Sequence, residues 1–200
     1  MVGALLVVLL VPVALIVVPI LTHQDQGIAH QEPSGEEWPL EASATGDDGR
    51  ERRIEIAPAD GATIDTSALV AGERFVVSGS GYDPARGIYV AICAIPDDPA
   101  MKPGPCLGGV PSGGEQTVEQ GTIQYAPSNW INDDWAWKLF GARSYDDRDA
   151  GAFTAYLEVP EAAEDNVDCR AVACAVYTRN DHTAASDRVQ DLFIPVGFAE

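Results

Sequence analysis

The sequence predicts an all-β, antiparallel sandwich of about seven strands, preceded by an N-terminal hydrophobic helix and a flexible linker. Three observations predict it. Short segments alternate apolar and polar residues with a period of two, as half-buried strands do. Nineteen Gly and 14 Pro punctuate those segments, while 46% of residues remain hydrophobic, so the chain is turn-rich rather than disordered. The four cysteines fall in two close pairs beside strand-like segments, Cys93 with Cys106 and Cys169 with Cys174. No internal repeat and no strand–helix–strand alternation points to another class.

Charge and cysteine chemistry narrow the function classes. The formal charge is −19, and the first 22 residues carry none of it. Such a chain repels phosphate backbones, which argues against nucleic acid as a partner. The cysteine spacings lack nearby histidines: His182 lies well past Cys174, and His23 and His30 precede the expected domain. Zinc requires four converging thiolates or imidazoles, so two disulfides formed in an oxidising compartment are the expected outcome, with no metal and no cofactor. Four cysteines allow three pairings, and a bridge between the sheets is the rival to two local ones.

Residues 2–21 (VGALLVVLLVPVALIVVPIL) form an uncharged apolar run. Twenty residues of helix span a hydrocarbon core of roughly 30 Å. The run has no basic residue before it and an acidic flank after it, which places the remaining chain outside the membrane. Residues 1–22 are therefore expected to be a transmembrane anchor or a cleaved signal peptide. Residues 23–52 hold eight acidic and two basic residues with few apolar ones, and read as a flexible acidic tether. The folded domain is expected over 53–200.

Within it, Ile54 and Ile56 alternate on a first strand, and 58–65 (PADGATID) turns the chain back. Residues 74–80 (RFVVSGS) form a strand closed by Gly79-Ser80-Gly81. After the turn DPARG, residues 88–95 place Ile88, Val90 and Ile92 on one face. Residues 117–125 offer a weaker strand. In 153–159, Phe153, Ala155, Leu157 and Val159 face inward. In 169–179, Val172, Cys174 and Val176 oppose Ala173, Ala175 and Tyr177. Residues 191–198 complete the set with Leu192, Ile194, Val196 and Phe198 on one face, and Pro195 marks an edge strand or a bulge.

The succession VSGSG (77–81), YVAIC (89–93), a second cysteine at 106, FTAYLEV (153–159) and VDCRAVACAV (167–176) resembles the neocarzinostatin family. The resemblance covers about 53–198. It implies a bacterial secreted protein with a seven-stranded immunoglobulin-like sandwich and local disulfides Cys93–Cys106 and Cys169–Cys174. It also implies a cleft for an apolar enediyne, at the outer face of 89–93, Cys106 and the Phe153 strand. Two features depart from the pattern: a longer Pro-rich loop between Cys93 and Cys106, and an apparent insertion at 129–140 (NWINDDWAWKLF).

That insertion is the most unusual segment. Trp130, Trp135, Trp137 and Phe140 crowd around Asp133 and Asp134, either as an exposed surface that binds a ligand or partner, or as rings closing one end of the core. With Tyr89 they are the candidate binding residues. Asp146, Asp147 and Asp149 lack the spacing of a calcium loop. Nothing near His182 and Ser186 resembles a nucleophile elbow, so no enzyme is expected. The reading is a non-enzymatic, exported or membrane-anchored module that binds a cell-envelope partner. The alternative is a carrier that sequesters an apolar small molecule in a cleft of the sandwich.

Overall fold

The structure, a computed structural model, describes residues 17–18, 20–59, 61, 63–109, 123–164 and 166–199. The apolar run 2–21 and the weak strand expected at 117–125 lie largely outside these. Among the described residues no helix is long and apolar enough to cross a membrane.

Two antiparallel sheets carry the fold. The larger orders β1 (Ala29–Gln31), β2 (Glu41–Gly46), β3 (Glu51–Pro58), β4 (Arg74–Ser80) and β7 (Phe153–Glu158) side by side. The smaller runs β11 (Leu192–Val196), β10 (Cys174–Asn180), β5 (Ile88–Ala94) and β6 (Ser128–Ile131). A four-residue helix, α1 (Trp135–Lys138), follows β6, and a two-stranded ribbon, β8 (Ala163–Glu164) with β9 (Val167–Asp168), precedes β10.

The core lies between the sheets and follows the period-two pattern. Ile54, Ile56, Phe75, Val77, Phe153 and Leu157 of the larger sheet meet Ile88, Val90, Ile92, Val176, Leu192 and Ile194 of the smaller. All are buried. Gly79 sits opposite Phe153, and a side chain there would collide with the Phe153 ring, which lies across it toward Tyr82 (centroids 5.1 Å apart). Phe153 is thus a core residue, on the inward face that the alternation of 153–159 predicts.

Three sequence expectations need correction. Residues 23–52 are not a loose tether: β1 and β2 extend the larger sheet through β3. Their order comes from backbone pairing, because the inward positions hold only Ala42, Ala44 and Gly46. Gln31 adds a further tie, donating from Nε2 to the Phe193 carbonyl (2.8 Å) and accepting the Phe193 N–H (2.9 Å). That amide takes the place of a neighbouring strand on the open edge of β11, where Pro195 has no N–H to offer. Beside this edge opens a groove of about 470 Å³ lined by Pro33, Pro39, Glu41, Arg53 and Phe193 among others.

Second, the strand expected from Cys169 begins at Cys174. Residues 169–173 form a turn in which Asp168 accepts the backbone N–H of Arg170 on its side chain and those of Ala171 and Val172 on its carbonyl. Val172 is accordingly exposed rather than aligned with Val176. Third, a strand that the sequence pattern did not show opens the segment 129–140: β6 pairs with β5 in the register Tyr89↔Trp130 and Ile88↔Ile131.

Both disulfides are local, Cys93–Cys106 and Cys169–Cys174, and no cysteine is free. The first fastens the Pro-rich loop beside the end of β5, where Ala94 donates to the Pro105 carbonyl and Leu107 to that of Ile92.

Candidate functional site

The outer face of the smaller sheet is where the fold gathers aromatic side chains. Val90, Ile92, Val176 and Thr178 point into the core, so their neighbours point out. The register then sets Arg179, Tyr89 and Trp130 in one row across β10, β5 and β6.

Asp181, just past β10, fixes that row from below. Its side chain is fully buried and every acceptor position in use is taken by a donor. Oδ2 accepts the Trp130 indole N–H (2.9 Å) and the Asn132 amide (2.8 Å), while Oδ1 accepts the Thr183 backbone N–H (2.8 Å) and hydroxyl (2.5 Å). Gly87 makes room, since a side chain there would run into the Asp181 carboxylate and the Asn132 amide. A buried carboxylate satisfied by four donors is a rigid anchor, not a free base.

Asn132 carries the constraint outward. Its Oδ1 accepts the Asp134 N–H (2.9 Å), and Asp134 caps α1 by accepting the Ala136 N–H (2.9 Å). Asp133 holds Lys138 (3.4 Å) and Arg148 (2.5 Å). The excursion closes where Arg143 donates to the Trp130 carbonyl (2.8 Å) and accepts from the Asn132 N–H (2.7 Å). Both ends of the 132–142 loop are therefore pinned to β6.

On this frame the rings form a shelf. Trp130 lies 5.9 Å from Tyr89 and 5.6 Å from Trp137, centroid to centroid. His182 fits among them, 4.8 Å from Trp137 and 5.4 Å from Trp130, and its Nδ1 is 2.8 Å from the Tyr89 hydroxyl. Burial, reinforced by the Asp181 carboxylate, pushes the Tyr89 phenol up to about 12. It therefore remains a hydroxyl at neutral pH, able to donate to His182. Phe140 extends the shelf from Trp137 at 6.1 Å.

The candidate binding residues thus divide. Tyr89 and Trp130 are 9% and 7% exposed and form the base. Trp137 is half-buried above them, and Phe140 (57%) and Trp135 (69%) face solvent, as does Leu139. Sequence reasoning missed His182, Asp181 and Arg179. The only available signal was strand register: Asp181 and His182 follow the strand that pairs with Tyr89, and nothing in the sequence aligned β10 with β5.

Among the described residues no group of three His, Cys, Asp or Glu side chains could hold a metal ion. The disulfide Cys93–Cys106 lies on the same outer face, packed with Ala91, Ala175 and Tyr177.

No family model matches the chain, and no curated protein matches it. Among solved structures it is similar to macromomycin, at 18% identity and a TM-score of 0.38. The match covers 73% of this chain and 99% of that one. At that score the likeness carries no argument about ligand or role.

Proposed function

We propose that this chain is a non-enzymatic carrier that holds an apolar small molecule against the aromatic shelf of Trp137, Phe140 and His182. The observation that carries the reading is the contrast between a locked base and an open top. Trp130 is fixed by Asp181 and buried beneath rings that remain accessible, which is the preorganised, mainly apolar surface with few polar groups that small ligands use. The carrier works outside the cytoplasm, where its two disulfides persist, and residues 2–21 direct its export as an anchor or a cleaved leader.

Binding is tested with N-phenyl-1-naphthylamine, a neutral dye that brightens in apolar sites. The full chain should enhance its emission, and a Trp137→Ala/Phe140→Ala double variant with unchanged far-ultraviolet circular dichroism should lose that enhancement. Full enhancement in the folded double variant refutes the shelf as the site. A second reading, docking to a cell-envelope partner, is favoured by the exposure of Trp135 and Leu139 beyond the shelf.

A further inference from the structure

The chain has 12 Lys and Arg side chains against 31 Asp and Glu, so a cation without a carboxylate partner is an exception. Nine of the cations stand within ion-pair distance of a carboxylate. The remaining three are Lys102, Arg143 and Arg179. Arg143 stacks on Tyr156 at 4.6 Å, on the other sheet. Arg179 belongs to the aromatic row. Its guanidinium lies 5.6 Å over the Tyr89 ring, one Nη donates to the Pro103 carbonyl (3.3 Å), and its buried Nε has no acceptor.

Lys102 precedes Pro103, whose carbonyl accepts from Arg179, and the Arg179 charge helps to lower the pKa of its ammonium. The carboxylate that both feel is Asp191, and Arg188 already engages it at 2.8 Å. Three cations therefore share one carboxylate, and among the described residues no other acidic group pairs with Arg179 or Lys102. Burial is the main cause that holds the pKa of both below the usual range, more completely for Arg179 than for the exposed Lys102.

We infer that the carried molecule is an aromatic or similarly flat apolar acid, whose single anionic group sits between Arg179 and Lys102. Tyr89 makes the two ends continuous, since it is the ring beneath Arg179 and also touches Trp130 and His182. The inference rests on the carrier reading and adds the ligand's charge. A guanidinium with unused donors, beside an aromatic face that excludes water, is suited to a carboxylate.

The test is calorimetric titration of the full disulfide-bonded chain with 2-naphthoate, with its neutral analogue 2-naphthamide, and with inorganic phosphate. The naphthoate should bind roughly tenfold more tightly than the amide, the scale of one charge-assisted hydrogen bond. Arg179→Gln should abolish that preference, and Arg179→Lys should keep part of it. Arg170→Gln, which removes an equal charge from the turn at the second disulfide, should change nothing. If neither naphthalene binds, the carrier reading falls and this inference with it. Equal binding of acid and amide, an Arg170→Gln effect equal to that of Arg179→Gln, or phosphate binding as tightly as naphthoate would leave the carrier standing and overturn the assignment of an aromatic acid.

Discussion

Replacing Asp181 with Asn should loosen the shelf without removing a single ring. Each carboxylate oxygen accepts two hydrogen bonds, from Trp130 and Asn132 on one side and from both donors of Thr183 on the other. The amide has one oxygen, so in either orientation its NH₂ replaces an oxygen that accepted two hydrogen bonds, and only the Thr183 hydroxyl can turn to accept from it. Two hydrogen bonds to a charged acceptor are worth about 1.5–3 kcal/mol each. Burying a neutral amide is less costly than burying a carboxylate, which offsets part of the loss and leaves a net cost of about 2–4 kcal/mol. For a domain of this size that lowers the melting temperature by about 5–15 °C. Thermal unfolding followed by near-ultraviolet circular dichroism reads both the midpoint and the packing of the indoles. A double-mutant cycle with Trp130→Phe, which keeps a ring and removes the N–H, should give a coupling of about 1–2 kcal/mol. An Asp181→Asn protein with an unchanged midpoint and an unchanged near-ultraviolet spectrum would refute the anchoring role.

Three further outcomes follow from burial, ionisation and chain topology. Trp130→Ala should cost roughly 3–5 kcal/mol in urea unfolding, whereas Trp135→Ala should stay within about 0.5 kcal/mol of the parent; the reverse ranking would mean the segment is oriented the other way. Burial pushes the Asp191 carboxyl up to about 7 from an unfolded value of 3.8, against the pull of Arg188 and Arg179. The folded state then holds the proton more tightly, so this group adds stability as pH falls from about 7 toward about 4 and takes it away as pH rises. Asp191→Asn should remove that component, and a difference in urea midpoint between variant and parent that is the same at pH 5 and pH 8 would contradict it. Replacing Cys93 and Cys106 with Ser should cost about 3 kcal/mol, and replacing Cys169 and Cys174 about 2 kcal/mol, because the first bridge closes a separation of 13 residues and the second only 5; equal or inverted costs in denaturant titrations would show that loop closure does not set the difference.

The sandwich was legible because its core strands are written in period two. Phe153, Ala155 and Leu157, or Leu192, Ile194 and Val196, declare their inner face without help from the rest of the chain. The strands β1 and β2 were not legible, because they bury Ala and Gly and are held by backbone pairing and the Gln31 amide, neither of which leaves a hydrophobic pattern. The turn at 169–173 was misread for the opposite reason: Val172 continues an alternation that the Asp168 turn interrupts. At the site, the crowding of Trp130, Trp135, Trp137 and Phe140 singled out the segment but could not say which rings face inward. That depends on Asp181, 51 residues beyond Trp130 in sequence, and on the register that brings β10 beside β5. His182 and Arg179, ordinary at their places in the sequence, come beside Tyr89 only through that register.

The measurement closest to the central claim is native mass spectrometry of the protein isolated from the cells that make it, compared with the Trp137→Ala/Phe140→Ala variant made in the same cells. The account predicts a disulfide-intact chain carrying one small-molecule adduct, and the loss of that adduct in the folded variant. An adduct retained undiminished by the variant, or a parent protein that is bare in every preparation, would contradict it.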